Sequence, residues 1–139
     1  MKNFINQLKS KKGFSLIELL VVISIIGILI TVSVVSYNNV RRNARDGRRR
    51  ADLENVRQTL VMFRSDNGCY PPGPTFTDMM NQLGSYWSGE DPADPQSGLP
   101  YVYTPATPAS YCTVAGGFSS FTLEATIEKD GSTYQVFSP

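Results

Sequence analysis

The chain has 139 residues, room for one domain and an appendage, and its 13 basic and 12 acidic residues leave a formal net charge of +1, so no overall charge directs it to nucleic acid. It contains no histidine, which removes the commonest general base and the commonest metal ligand, and its two cysteines cannot make a zinc site alone. The charges are unevenly placed: residues 1–13 carry four lysines and no acid, residues 37–64 eight arginines against three acids, and residues 65–139 one lysine against eight acids.

The first element is an apolar run over residues 14–35, FSLIELLVVISIIGILITVSVV, 22 residues with a single charge, Glu18. As a helix it measures about 33 Å, enough to cross a hydrocarbon core of about 30 Å. Lys2, Lys9, Lys11 and Lys12 ahead of it and Tyr37 behind it predict a cytoplasmic N-terminus and an interfacial anchor on the far side. The arginines from Arg41 onward then lie beyond the interface on a continuing helix. A secretory signal peptide would be cut after the apolar region at alternating small residues, and SYNNVRRNARDGRRR is no such site. A plain single-pass anchor leaves Glu18 unexplained, because a carboxylate at that depth costs at least about 2.5 kcal/mol. Gly27, Ser24, Thr31 and Ser33 are small residues of the kind found where membrane helices touch.

The second element continues the helix. Val40, Ala44, Gly47 and Ala51 step by four, three and four, and Leu53, Val56, Leu60 and Phe63 form a second stripe, expected to be slightly rotated from the first. Asn67-Gly68 and Pro71-Pro72 predict a stop near Asp66, giving one helix of about 50 residues. Residues 73–98 are rich in Pro, Gly, Asp and Ser and are expected to be loop, with one short helix over 77–83.

Strand signals follow. Tyr101-Val102-Tyr103 is one; Phe121, Leu123, Ala125 and Ile127 alternate with Thr122, Glu124, Thr126 and Glu128; residues 129–132 turn and 133–137 return. An antiparallel sheet of about three strands needs a partner for its apolar face, and the Leu53–Phe63 stripe offers one. The expected fold is α+β: a long N-terminal helix, half transmembrane and half amphipathic, packed by a small sheet head. The expected organisation is a leader over 1–13, the transmembrane half over 14–36, the amphipathic half over 37–66 and the head over 67–139.

Two sets of side chains are candidates for function in the exported part. Cys69 and Cys112 most economically form one disulfide in so small a head, closing a loop that stabilises by about 4 kcal/mol; two free buried thiols are the alternative, and no CxxC spacing suggests redox activity. Arg41, Arg42, Arg45, Arg48, Arg49 and Arg50 suit anionic lipid or nucleic acid, but no aromatic residues interleave with them, and they read better as a solvated face paired with acids. No nucleophile–base pair marks an enzyme.

The stretch KKGFSLIELLVVISIIGIL, residues 11–29, resembles the type III signal of type IV pilins and type II secretion pseudopilins. DLENVRQTLVMFRSDNGCYPP, residues 52–72, is similar to the end of the long helix in the same proteins. The resemblance implies cleavage between Gly13 and Phe14 by a prepilin peptidase, N-methylation of Phe14, and a filament held by packing of the N-terminal helices. It also implies that Glu18, fifth in the mature chain, pairs with the Phe14 amine of a neighbour, and that the helix around Gly27 can loosen on assembly. The proline often found a little further along is missing here.

The partners implied are other copies of the chain, the peptidase, the pilus or secretion assembly machinery, and the membrane before assembly. The chain would sit in the cytoplasmic membrane, N-terminus inside, and afterwards in an extracellular or periplasmic filament. Major pseudopilins carry calcium in a loop comparable to DPADPQSGLPYVY, residues 91–103, which makes Asp91 and Asp94 candidate ligands; no other cofactor is implied. A pilus subunit and a major pseudopilin share the signal, the anchor and the fold, and the loose spacing of the calcium loop together with the disulfide tilts the reading to a pilus subunit. A monomeric membrane-anchored binding module is a different class, and it gives Glu18 no role.

Overall fold

The structure, a computed structural model, describes residues 13–139. The leader lysines at 2, 9, 11 and 12 lie outside the described residues. The chain divides into two compact units, one ending at Asn38 and the other comprising Asn39–Pro139. Helix α1, Leu16–Asn67, contributes to both and is 52 residues long.

In the first unit α1 is built for a solvent without hydrogen bonds. Ser24, Thr31, Ser33 and Ser36 donate their hydroxyls to carbonyls four residues back, at 2.8, 2.9, 2.8 and 3.2 Å. These four hydroxyls are thereby satisfied inside the helix. The apolar side chains from Leu16 to Val34 are exposed. Among the described residues α1 is long and apolar enough to cross a membrane, with a mean hydropathy of 2.9 over its most apolar window. The helix continues through Gly27, where an added Cβ would meet nothing within 4 Å.

The second unit is an α+β head. Its core joins Leu53, Val56, Leu60 and Phe63 of α1 to Tyr70, Phe76, Met79, Leu83, Tyr103, Phe121 and Leu123. The sequence placed Val40, Ala44, Gly47 and Ala51 in nearly the same stripe, and here the structure corrects it. Those four are exposed, and the buried stripe runs back from Leu53 through Arg49 and Asp46, keeping the three-and-four spacing with charged residues. Residues 44 and 46 differ by about 200° around a helix, so the small residues face away from the head. Helix α1 ends as expected: Gly68 takes φ +78°, its amide donates to the Arg64 carbonyl at 2.8 Å, and Asn67 Nδ2 donates to the Phe63 carbonyl at 3.0 Å.

Helix α2, Phe76–Leu83, begins one residue earlier than the sequence suggested, because Thr75 Oγ1 caps it by accepting from the Asp78 amide at 3.2 Å. A short 3-10 turn, Gly84–Tyr86, follows. Strands β1 (Val102–Pro108), β2 (Phe118–Thr126) and β3 (Thr133–Phe137) form one antiparallel sheet in the order β1-β2-β3. Tyr103, Leu123 and Val136 stand opposite one another in register, and all point into the core. Both β1 and β2 are longer than their sequence signals. Strand β1 runs through Pro105 and Pro108, and β2 starts at Phe118 rather than Phe121. Prolines are tolerated in β1 because it is an edge strand.

Candidate functional site

At the N-terminal end, the residues expected to be processed are open. Among the described residues a Cβ added at Gly13 would meet nothing within 4 Å, Phe14 is 82% exposed, and Glu18 lies exposed in the first turn of α1. A carboxylate there is favoured by the positive end of the helix dipole. No cation pairs with Glu18 among the described residues. The described residues thus present an apolar helix with one charge that none of them satisfies.

The head holds a second polar constellation that sequence reasoning missed. Arg49 is only 2% exposed, and its guanidinium reaches three carboxylates from three parts of the fold. One terminal nitrogen donates to Asp46 Oδ1 at 2.5 Å and lies 3.7 Å from Glu128 Oε2. The Nε donates to Asp94 Oδ2 at 2.5 Å, and the other terminal nitrogen to Asp94 Oδ1 at 3.2 Å. Asp46 also accepts from the amides of Glu128 and Lys129, at 2.8 and 3.1 Å, so α1 caps the β2–β3 turn. Glu128 is gripped by both Nε and a terminal nitrogen of Arg45, at 2.7 and 2.5 Å, with the Arg42 Nε 3.5 Å away. Around the buried Arg49, the half-buried Arg45 and the exposed Arg42 add positive charge, so that three arginines stand against Asp46, Asp94 and Glu128.

The electrostatics follow from these contacts. The Arg49 hydrogen bond holds the Asp94 carboxyl well below the usual carboxylate range against the cost of burial, and the amides of Ser97 and Gln96 add to it. Burial opposes charge on Asp46, but the Glu128 amide, Arg49 and the Lys129 amide outweigh it and lower its pKa. The Arg45 hydrogen bond lowers Glu128. Arg49 is itself raised, first by Asp94 and despite its burial. Nothing here is poised to exchange a proton near neutrality, so the constellation binds parts of the head together and offers no acid or base.

These contacts correct the reading of the arginines as one solvated face: Arg49 is buried and Arg45 half-buried, while Arg42, Arg48 and Arg50 stay exposed. The signal was present in the sequence, since counting back from Leu53 at helical spacing reaches Arg49 and Asp46. The calcium candidates do not fit. Both oxygens of Asp94 are taken by Arg49, and Oδ1 also accepts from the Gln96 and Ser97 amides at 2.9 Å each, while Asp91 stands exposed apart from that cluster. No group of three potential metal ligands occurs among the described residues.

Cys69 and Cys112 are joined by a disulfide, with Cα atoms 5.3 Å apart. It fastens the loop before β2 to the end of α1, where the Thr113 amide and hydroxyl also reach the Asn67 carbonyl, both at 3.1 Å. Gly117 lies buried against the bridge, and a Cβ there would run into both sulfur atoms. Only glycine leaves that space.

Residues 8–34 match the family described as the prokaryotic N-terminal methylation motif. Over 109 residues, 78% of this chain and 76% of the relative, the sequence is 32% identical to the type IV wide pilus major component PilA4 of Thermus thermophilus. No solved structure matches the chain. With a methylation motif at the start of α1, an α+β head on its second half, and a pilin relative similar along most of its length, the chain belongs to the type IV pilin family.

Proposed function

We propose that the chain is the structural subunit of an extracellular type IV pilus. It is inserted in the cytoplasmic membrane with its N-terminus inside, cut between Gly13 and Phe14 by a prepilin peptidase, and methylated on the Phe14 amine. It then polymerises with other copies through the first half of α1. The observation that carries this reading is the first unit itself: an exposed apolar helix whose Ser24, Thr31, Ser33 and Ser36 hydroxyls are satisfied internally, with a carboxylate at Glu18 that has no cation partner among the described residues. Such a surface has to be covered, by lipid before assembly and by copies of itself afterwards. In a bundle of these helices the buried Phe14 amine and a neighbour's Glu18 neutralise each other. Either charge left without its partner would cost about 3–5 kcal/mol, so the pair sets the register.

A pilus is favoured over a pseudopilus by the relative, a pilus component, and by the loop at Asp94, whose carboxylate is committed to an arginine instead of a calcium ion. Intact-mass measurement of the mature subunit tests the processing step. The expected chain begins at Phe14 and carries one extra methyl group on its amine. A chain beginning at Met1, or cut after Val35, would contradict it.

A further inference from the structure

Arg49 is an odd residue to bury, standing where α1 meets the loop before β1 and the β2–β3 turn, and its geometry is that of a coordinated cation. Its three nitrogens address Asp46 and Glu128, Asp94, and Asp94 again. Those acids come from α1, from the loop before β1 and from the β2–β3 turn. A divalent ion placed there would draw on the same carboxylates and on carbonyl oxygens of the loop.

Three carbonyls of the loop already accept hydrogen bonds within the chain. The Asp94 carbonyl accepts from the Gly98 amide at 2.8 Å, the Leu99 carbonyl from the Asp94 amide at 2.9 Å, and the Ala93 carbonyl from the Tyr101 hydroxyl at 3.3 Å. The loop therefore closes on its own donors, with one covalently tethered positive charge at its root. Lysine could not substitute for it, because an ammonium is a point charge without the planar fork that spans several carboxylates.

We propose that Arg49 is a built-in cation: it does for this head what a bound divalent ion does in an acidic loop, so the head folds and keeps its loop closed without any metal. The exposed arginines have no such role. Arg48, 67% exposed in its side chain and 3.8 Å from Asp52, is the natural control.

The test uses the full chain in detergent micelles, with thermal unfolding of the head followed by circular dichroism in EDTA and in millimolar CaCl2. The wild type should melt at the same temperature in both, and isothermal titration with CaCl2 should show no saturable heat. Arg49→Ala in EDTA should melt more than about 10 °C lower, because it leaves Asp46 and Asp94 without their cation, while Arg48→Ala should move by less than about 2 °C. Where Arg49→Ala fails to fold, Arg49→Lys serves, and it should still fall well below the Arg48→Ala control. A wild type stabilised by CaCl2 or destabilised by EDTA would overturn the proposal, as would an Arg49→Ala chain that melts with the control.

Discussion

Gly117 shows how little room the head leaves at its one covalent bond. Its missing side chain is the space that the Cys69–Cys112 sulfurs occupy. Gly117→Ala should therefore destabilise the oxidised head by about 1–3 kcal/mol, the usual cost of forcing a methyl group into a filled site. Reducing the disulfide lets the sulfurs separate, so the difference between variant and wild type should shrink when both are melted in reductant. An equal penalty in the two states would mean that the strain lies elsewhere. The carboxylates around Arg49 give a residue-scale prediction with a sign. Asp94, Asp46 and Glu128 all have folded pKa values below their unfolded ones, which lie near 4. The stability they contribute is thus complete above about pH 5 and is lost as the pH falls through about 4 toward their folded values. Urea unfolding of the wild type should show flat stability from pH 7 to about 5 and a decline below about 4. In Asp94→Asn that decline should be shallower from a lower plateau.

Helices and strands were legible where pattern alone decides them. The stop of α1 at Asn67-Gly68, the alternation of β2 and the return strand β3 each follow from spacing and turn chemistry, and the structure has them. The misses have physical causes. Strand β1 carries two prolines and a Thr107 at φ +54°, features that propensity counts against a strand but that an edge position accepts. The buried stripe of α1 was lost where it changed from apolar to charged, because burial of Arg49 depends on carboxylates far along the chain, which no local pattern reports. By the same logic Leu60, fully buried in the centre of the stripe, should tolerate truncation badly: Leu60→Ala is expected to cost about 2–5 kcal/mol in urea unfolding, and the outward-facing Ala51→Ser less than about 0.5. Equal effects would refute the assignment of faces.

Across the whole molecule the charges fall into two blocks. Residues 37–64 carry 8 − 3 = +5, and residues 65–139 carry 1 − 8 = −7. The Arg45 and Arg49 contacts absorb part of this inside the head, leaving Arg42, Arg48 and Arg50 exposed, with Arg50 lying over the Tyr134 ring at 5.3 Å. In a filament of the proposed kind these arginines meet the acidic surfaces of neighbouring heads. Exposed pairs contribute only about 0–1 kcal/mol each and are screened over about 8 Å at physiological salt. Raised salt should soften such filaments without dissolving their helical core, and filaments of unchanged stiffness in molar salt would argue that the exposed arginines are merely solvated.

In the proposed filament the helical core depends on the pairing of Glu18 with a neighbour's Phe14 amine. Electron microscopy of sheared surface material from cells expressing wild type or Glu18→Ala, with mass spectrometry of its main subunit and immunoblots of the membrane fraction, tests that most directly. Wild-type cells should yield filaments of this chain, and Glu18→Ala cells none although the membrane level of the variant is equal or higher, since the substitution removes a cost of insertion. Filaments of normal number and length from the Glu18→Ala chain would contradict the pairing.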